Sequence, residues 1–200
     1  MNMNEQIKLW NEEAHASNAD HLHRKVELFI EVQDGALESI APYLNQQNYR
    51  FVTLVEDEHT SAAAGKKVAE FIRDAGLTVE VVRLPPNAVG DVIADEAYIM
   101  KVFLGVADQS QAVLAVGSGT IHDLVRFVCY KMNRPFLSVP TAASVDGFTS
   151  AGAPLIVGGS KQTFQAVPPE AIFADLSVLA SAPQTILPRV LAICSVSSPH

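Results

Sequence analysis

The stretch AVLAVGSGTIHDLVR, residues 112–126, decides the fold. Its small and branched apolar residues at 112–117 predict a buried strand, and the run 120–132 predicts a helix that begins almost at once. Gly117 and Gly119 allow backbone amides to approach a ligand closely, and a helix N-terminus favours an anion such as a pyrophosphate. A strand that enters a helix through a glycine turn is typical of a parallel α/β sheet.

The same alternation continues on both sides of this stretch. Further strands are predicted at 26–32, 50–56, 78–84, 135–140 and 171–174, and helices after residue 34, at 61–75, at 91–106 and from Asp175 onward. A small-residue loop follows Pro140, and a hairpin is predicted to turn at Gly158-Gly159.

We therefore expect an α/β fold: a Rossmann-like nucleotide-binding domain over residues 23–184, with a mostly parallel sheet and helices on both faces. Residues 1–22 are expected to form an N-terminal extension, helical or loose. The residues after Pro140 do not suggest an independent second domain.

Composition narrows the function. Nearly half of the 200 residues are hydrophobic, 18% are charged and the net charge is −8, which permits a core and disfavours binding to nucleic acid or to an anionic membrane surface. The apolar runs are too short to span a bilayer, and the first residues lack the apolar region of a secretory signal. Cys129 and Cys194 form no metal-binding pair. A cytoplasmic protein with a small-molecule partner is expected.

Residues 117–120 depart from the usual dinucleotide-binding fingerprint, because His122 occupies the third glycine position. The absence of a GK[ST] sequence excludes a P-loop. A glycine pair at a strand end is often only a tight turn. Asp123 has two interpretations: a ligand-binding residue, or a first-turn acid that stabilises the helix dipole.

Three further stretches carry candidate site residues, each with a structural alternative. Asp57 could accept hydrogen bonds from ribose hydroxyls at a strand end, or could cap the next helix. The loop PTAASVDGFTS is long and nearly uncharged, which is typical of a functional loop, although Asp146-Gly147 also suits a plain turn. Asp175 suits either a helix cap or a metal ligand, and no HxxxH pair accompanies it.

Three segments in this order, GSGTIHDLVR, VPTAASVDGFTSAGAPLIVGG and AIFADLSVLASAP, resemble the sn-glycerol-1-phosphate dehydrogenases. These belong to the superfamily of glycerol dehydrogenases, iron-type alcohol dehydrogenases and 3-dehydroquinate synthases. The resemblance runs from about Val26 to Gln184. It implies that an N-terminal α/β domain binds NAD(P), and that a C-terminal all-helical domain, absent from these 200 residues, faces it across a cleft with a divalent metal, zinc or nickel.

The implied activity is reversible hydride transfer between NAD(P)H and dihydroxyacetone phosphate, as in phospholipid biosynthesis, in a parent protein that is a homo-oligomer. An acid at position 57 favours NAD over NADP. The 200-residue chain itself is expected to be inactive. Two alternatives stay open: a glycerol or other polyol dehydrogenase of the same superfamily, and a nucleotide-binding remnant without catalysis.

The resemblance also implies residue roles. Cofactor binding falls to Asp57, Gly117, Ser118, Gly119, Thr120, Asp123, Thr141, Ser144 and Ser150. Asp146 would contact the substrate hydroxyls. Asp175 would be the carboxylate ligand of the metal, joined by two histidines from the helical domain.

Residues 185–200 do not resemble the family. Codons allowed for Thr185 to His200 can be chosen so that the frame starting two bases later reads DIAAGFGDMLGKFTS, which is similar to what the family has at this place. Residues 185–200 are therefore expected to be an out-of-frame tail, and His200 is not counted as a ligand.

Overall fold

The computed structural model describes residues 28–142 and 151–182. The N-terminal extension 1–22, the tail 185–200 and the candidates Ser144, Asp146 and Ser150 lie outside the described residues. The strands are β1 Phe29–Gln33, β2 Phe51–Asp57, β3 Thr78–Leu84, β4 Ala112–Gly117, β5 Phe136–Pro140, β6 Gly152–Val157, β7 Ser160–Gln165 and β8 Ala171–Asp175.

The helices alternate with these strands. They are α1 Ile40–Gln46, which follows a 3₁₀ turn at Ala36–Ser39; α2, formed by Glu58–Thr60, a π-helical stretch at Ser61–Gly65 and Lys66–Asp74; α3 Glu96–Gly105; α4 Gly119–Met132; and α5 Leu176–Ala180. Within the described residues, no helix combines the length and the apolar character needed to cross a membrane.

Six strands form one parallel sheet in the order β1-β8-β5-β4-β2-β3. Strands β6 and β7 form a separate antiparallel hairpin whose turn residues Gly158 and Gly159 have φ angles of 59° and 75°. These left-handed angles favour glycine at both positions of a tight hairpin turn. The predicted parallel sheet and the predicted hairpin are both confirmed.

Helices cover both faces of the sheet, as predicted. On one face, α1, α2 and α5 bury an apolar cluster that includes Leu44 and Ile72. On the other face, α3, α4 and the hairpin bury a second cluster that includes Val102 and Leu124. Every residue of β4 is buried, which explains its uninterrupted apolar sequence, since a central parallel strand faces helices on both sides.

Helix α3 begins later than the sequence predicted. The helix predicted from residue 91 starts at Glu96, because Asp95 has an extended backbone and its side chain accepts a hydrogen bond from the Tyr98 amide at 3.0 Å. The preceding residues form a loop in which the side chain of Asn87 accepts hydrogen bonds from two backbone amides. Asp95 also bridges to Ile156 of the hairpin, so the loop is tied to β6 and does not continue the helix.

Helix α2 begins earlier than predicted, at Glu58 in place of Ser61. Its π-helical stretch ends at Gly65, where an added Cβ would lie 1.7 Å from the Glu56 carboxylate. Glu56 is 1% exposed and accepts hydrogen bonds from Arg83 at 2.7 and 3.0 Å. Glycine therefore leaves room for a buried, paired carboxylate beneath the start of the helix.

Candidate functional site

The candidate residues within the described part of the chain lie along one edge of the sheet. Asp175 ends β8, Thr141 follows β5, Gly117 ends β4 and Asp57 ends β2. These four strands are neighbours in the sheet order β8-β5-β4-β2, and parallel strands bring their carboxyl ends to the same edge. At about 4.8 Å per strand, Asp57 and Asp175 lie on the order of 14 Å apart along this edge. Open α/β sheets bind ligands outside such an edge.

The turn between β4 and α4, residues 117–120, is here called the glycine turn. Ser118 is the N-cap residue of α4 and has an extended backbone, yet no side chain of the described residues caps this end of the helix. The first amides of α4, from Gly119 onward, are therefore left for another acceptor. Together with the positive end of the helix dipole, these amides suit an anion.

Gly117 sets how closely α4 approaches the sheet. A Cβ added at Gly117 would lie 2.6 Å from Cγ1 and 2.8 Å from Cβ of Ile121. Its carbonyl accepts a hydrogen bond from the Thr141 amide at 3.0 Å, which joins the ends of β4 and β5. A glycine here is needed for packing inside the fold, in addition to any approach of a ligand.

A cleft of about 430 Å³ opens beside the glycine turn. It is lined by Ser118 and Thr120 of the glycine turn, and by Asp57, Glu58 and His59 at the end of β2. The remaining lining residues come from the loop before α3: Pro86, Gly90, Asp91, Val92 and Ile93. This volume is typical of a small-molecule site.

The sequence indicates a turn at residues 85–90, PPNAVG, whose proline, asparagine and glycine residues are typical of a loop. Residues 91–93, which continue this loop and complete the cleft, were wrongly assigned to the helix that follows. Gly90 has a φ of 93°, which confirms that the chain turns there.

Asp57 has a structural role and a position on the cleft. Its side chain accepts a hydrogen bond from the Thr60 amide at 2.8 Å, and its own amide donates to Thr60 Oγ1 at 2.9 Å. The capping interpretation is therefore confirmed. The second carboxylate oxygen has no hydrogen-bond partner among the described residues, and a contact to ribose through that oxygen stays a prediction.

Asp123 lies in the second turn of α4, so the interpretation as a first-turn acid is wrong. Its carboxylate accepts a hydrogen bond at 3.1 Å from Arg126, which is 1% exposed and also donates to the Gly152 carbonyl of β6. Burial raises the pKa of Asp123 to about 6, although the positive charges of Arg126 and Lys161 act to lower it. An acid at this position is poised to titrate just below neutral pH.

Asp175 caps α5, as its structural alternative predicted. It is 1% exposed, and its Oδ1 accepts hydrogen bonds from the amide and the hydroxyl of Ser177 at 3.0 and 2.6 Å. Burial acts to raise the pKa of Asp175, but hydrogen bonds from Ser177 and from the amides of Leu37 and Val178 outweigh it and lower the pKa. The carboxylate is therefore ionised near neutral pH, as a metal ligand must be.

The described residues fit the two expected ligands unequally. The uncapped amides of α4 beside the cleft suit the pyrophosphate of a dinucleotide. For a metal, residues 28–142 and 151–182 hold no group of three or more histidine, cysteine or acidic side chains that could ligate it, so Asp175 would need ligands from outside this part of the chain.

Comparison with known proteins gives the family and the extent of the match. The family model described as iron-containing alcohol dehydrogenase matches residues 31–183. Glycerol-1-phosphate dehydrogenase (NAD(P)+) of Bacillus licheniformis is 45% identical over 159 residues, which cover 79% of this chain and 39% of that protein. The protein of the same name from Geobacillus thermodenitrificans is 44% identical over 168 residues, covering 82% and 42%.

The fold is shared with more distant proteins. The crystal structure of glycerol dehydrogenase from Schizosaccharomyces pombe matches with a TM-score of 0.66 at 20% identity, covering 81% of this chain and 40% of that one. The chain thus spans about two fifths of the length of the curated relatives and solved structures it matches.

Proposed function

Because the chain belongs to the iron-containing alcohol dehydrogenase family, we propose that it is the dinucleotide-binding part of an NAD(P)-dependent glycerol-1-phosphate dehydrogenase. The two relatives of this name described above share 45% and 44% identity with it over 159 and 168 residues. The observation that carries the proposal within this chain is the uncapped N-terminus of α4, which meets the cleft at Ser118 and Thr120. Those residues present amides where a dinucleotide needs a partner for its pyrophosphate.

In this proposal, the glycine turn and the end of β2 bind different parts of the cofactor. The pyrophosphate is held by the amides of the glycine turn, and the adenosine ribose meets the free carboxylate oxygen of Asp57. The negative charge of that oxygen disfavours a 2′-phosphate, so NAD is preferred over NADP. Asp123, together with the glycine turn, is proposed to hold the pyrophosphate and the nearby ribose, and Thr141, whose amide bonds to the Gly117 carbonyl, is proposed to line the adenine and nicotinamide side.

Asp175 is proposed as one ligand of a divalent metal, zinc or nickel, with histidine ligands from outside the described residues. When bound, the metal would act as a Lewis acid on the oxygen of the substrate carbonyl. The amides and the hydroxyl that bond to Asp175 keep it ionised and fix its orientation. Ser144, Asp146 and Ser150 remain proposed contacts to the nicotinamide and the substrate hydroxyls.

The proposed reaction is reversible hydride transfer between NAD(P)H and dihydroxyacetone phosphate, in a cytoplasmic enzyme of phospholipid biosynthesis that assembles as a homo-oligomer. Its domain spans residues 23–184. The sequence at 185–200 is proposed to be out of frame, and therefore the frame that begins two bases later should supply the continuation of the enzyme.

Two measurements test this function. The 200-residue chain is titrated with NADH and assayed for NADH oxidation with dihydroxyacetone phosphate; we expect binding without turnover. A gene read in the other frame after Gln184 is expected to give an enzyme that reduces dihydroxyacetone phosphate and ignores free glycerol as a substrate in the reverse direction. Oxidation of free glycerol by that enzyme would identify a polyol dehydrogenase in place of the proposed one.

A further inference from the structure

The side chain of His122 bonds to the glycine turn from inside the protein. His122 is fully buried in the first turns of α4, and its ring Nδ1 lies 2.8 Å from the carbonyl oxygen of Ser118. The same carbonyl accepts the backbone amide of His122 at 3.2 Å. The N-cap carbonyl of α4 is therefore held twice by one residue, and the second bond is not part of the ordinary helix pattern.

The other side of the ring is fixed to the sheet. Nε2 of His122 lies 2.8 Å from the hydroxyl of Ser138, a fully buried residue of β5. A carbonyl can only accept, so Nδ1 carries the proton, and Nε2 accepts the proton of the Ser138 hydroxyl. Burial lowers the pKa of His122 to about 4, with a further lowering by the charge of Arg126, although the bond to Ser118 acts to raise it. The ring is thus neutral near pH 7, with Nδ1 as the hydrogen-bond donor and Nε2 as the acceptor.

The bond to Ser118 bears directly on the proposed anion site. The peptide group between Ser118 and Gly119 is planar and trans, so its carbonyl and its amide point in opposite directions. The carbonyl is drawn along α4 toward His122, and the Gly119 amide must then point out of the helix N-terminus. A residue that fixes the carbonyl also fixes the amide that a pyrophosphate would meet.

We propose that His122 is a positioning residue for the cofactor: its ring ties the Ser118–Gly119 peptide to β5 and so aims the Gly119 amide at the pyrophosphate. This inference rests on the proposed function, and it explains why a histidine occupies the third glycine position of the dinucleotide fingerprint. The third glycine ordinarily permits close helix–strand packing. Here Gly117 permits that packing against Ile121, and the later position is free to carry a ring that bonds to the turn.

Two substitutions distinguish the contribution of the Nδ1 bond from that of the Nε2 bond. His122→Asn places an amide N–H close to the position of Nδ1 and keeps the bond to Ser118, whereas His122→Gln reaches toward Ser138 and loses the bond to Ser118. Cys129→Ala is the matched control, since Cys129 is also buried on α4 but lies farther from the turn.

The ligands are ADP and adenosine, which differ in the pyrophosphate, and binding to the 200-residue chain is followed by calorimetry or NMR titration. We expect His122→Gln to weaken the affinity for ADP by about tenfold, the equivalent of one charge-assisted hydrogen bond, and to leave the affinity for adenosine unchanged. Cys129→Ala should bind both ligands as the unsubstituted chain does, whereas His122→Asn, which keeps the bond to Ser118 but not the one to Ser138, should lose less than tenfold in ADP affinity and bind adenosine unchanged.

A purely structural histidine gives a different result. If His122→Gln weakens ADP and adenosine alike, or leaves both unchanged, the inference is overturned while the proposed function stands. If the unsubstituted chain binds neither ligand, the proposed function fails and the inference fails with it. Should His122→Gln not fold, Ser138→Ala releases the far side of the ring, and a loss of affinity confined to ADP is again the expected result.

Discussion

Replacement of Gly117 by alanine tests whether the glycine turn couples packing to cofactor binding. An added Cβ would lie 2.6 Å from Cγ1 and 2.8 Å from Cβ of Ile121, which is fully buried. Because the Cβ of Ile121 is bonded directly to the helix backbone, no rotamer change relieves the second contact, and the start of α4 must move away from β4. Overpacking of this kind costs about 1–3 kcal/mol in the free energy of unfolding.

The same movement displaces the amides of the glycine turn. We therefore expect Gly117→Ala to lower the free energy of unfolding in urea by about 1–3 kcal/mol and to weaken NADH binding by about tenfold, since one misaligned amide bond to a charged group accounts for that factor. Unfolding is measured by circular dichroism, and binding by NADH titration at a temperature where both proteins are folded.

Gly105→Ala is the matched control. Its added Cβ would lie 2.8 Å from Cγ1 of Val82, a comparable overlap at the end of α3 that does not line the cleft. This variant should lose stability and keep its NADH affinity. If Gly117→Ala loses stability but binds NADH normally, the reasoning about the turn is refuted; if it loses no stability, the reasoning about packing is refuted.

Three further predictions concern the cap, the buried histidine and the gene. Asp57→Ser retains a capping oxygen and loses the free carboxylate oxygen, so this variant should keep its stability and bind NADH more weakly. Asp57→Ala should bind NADH more weakly and also lose about 1 kcal/mol in the free energy of unfolding, because it removes the cap. Equal NADH affinity in both variants and in the unsubstituted chain would contradict the ribose contact. The pKa of His122 is lowered to about 4, below its ordinary value of 6.5, so the stability that the neutral histidine contributes is present above pH 6.5, and the free energy of unfolding falls by up to about 3 kcal/mol as the pH drops toward 4. In urea unfolding, the free energy of unfolding of His122→Asn should fall less over this range, and an equal fall in both proteins would contradict the prediction. Sequencing of the gene beyond the codon for Gln184 should reveal the family-like continuation in the frame two bases later, and an early stop codon there would refute the out-of-frame tail.

The pattern of the fold was predictable because the central strands β4, β5 and β8 are buried on both faces. A central strand such as β4 must be apolar throughout, and the glycine pair that follows it has few interpretations in a parallel sheet. The hairpin was predictable from its two consecutive glycines, whose positive φ angles suit a tight turn.

Helix boundaries were less predictable, because single side chains decide them. Asp57 and Asp95 each cap a helix by accepting one hydrogen bond from an amide three residues later. The sequence alone does not indicate whether such an aspartate is the cap or lies within the first turn. The apolar residues Val92 and Ile93 extend the helical pattern of α3 toward its N-terminus, yet they line the cleft.

The positions of the candidate residues at strand ends were predictable from the sequence, but their side-chain contacts were not. In the sequence, Asp57, the glycine turn and Asp175 each lie at or directly after a predicted strand, and the carboxyl ends of parallel strands share one edge of the sheet; the order of the strands along that edge came from the structure. The link between His122 and Ser138 was invisible in the sequence, since it joins α4 to a strand 16 residues later and depends on how closely α4 packs. The position of a histidine on the apolar face of a helix does not indicate which hydrogen-bond partner its ring will have.

Binding of the dinucleotide at the glycine turn and the adjoining cleft is tested by an NMR titration of the ¹⁵N-labelled chain with NADH. The largest amide shifts are expected at Gly119, Thr120 and Ile121, with smaller ones around Asp57, and none at the opposite edge of the sheet, for example at Tyr49. Shifts confined to that opposite edge, or no shifts at any NADH concentration, would contradict the account.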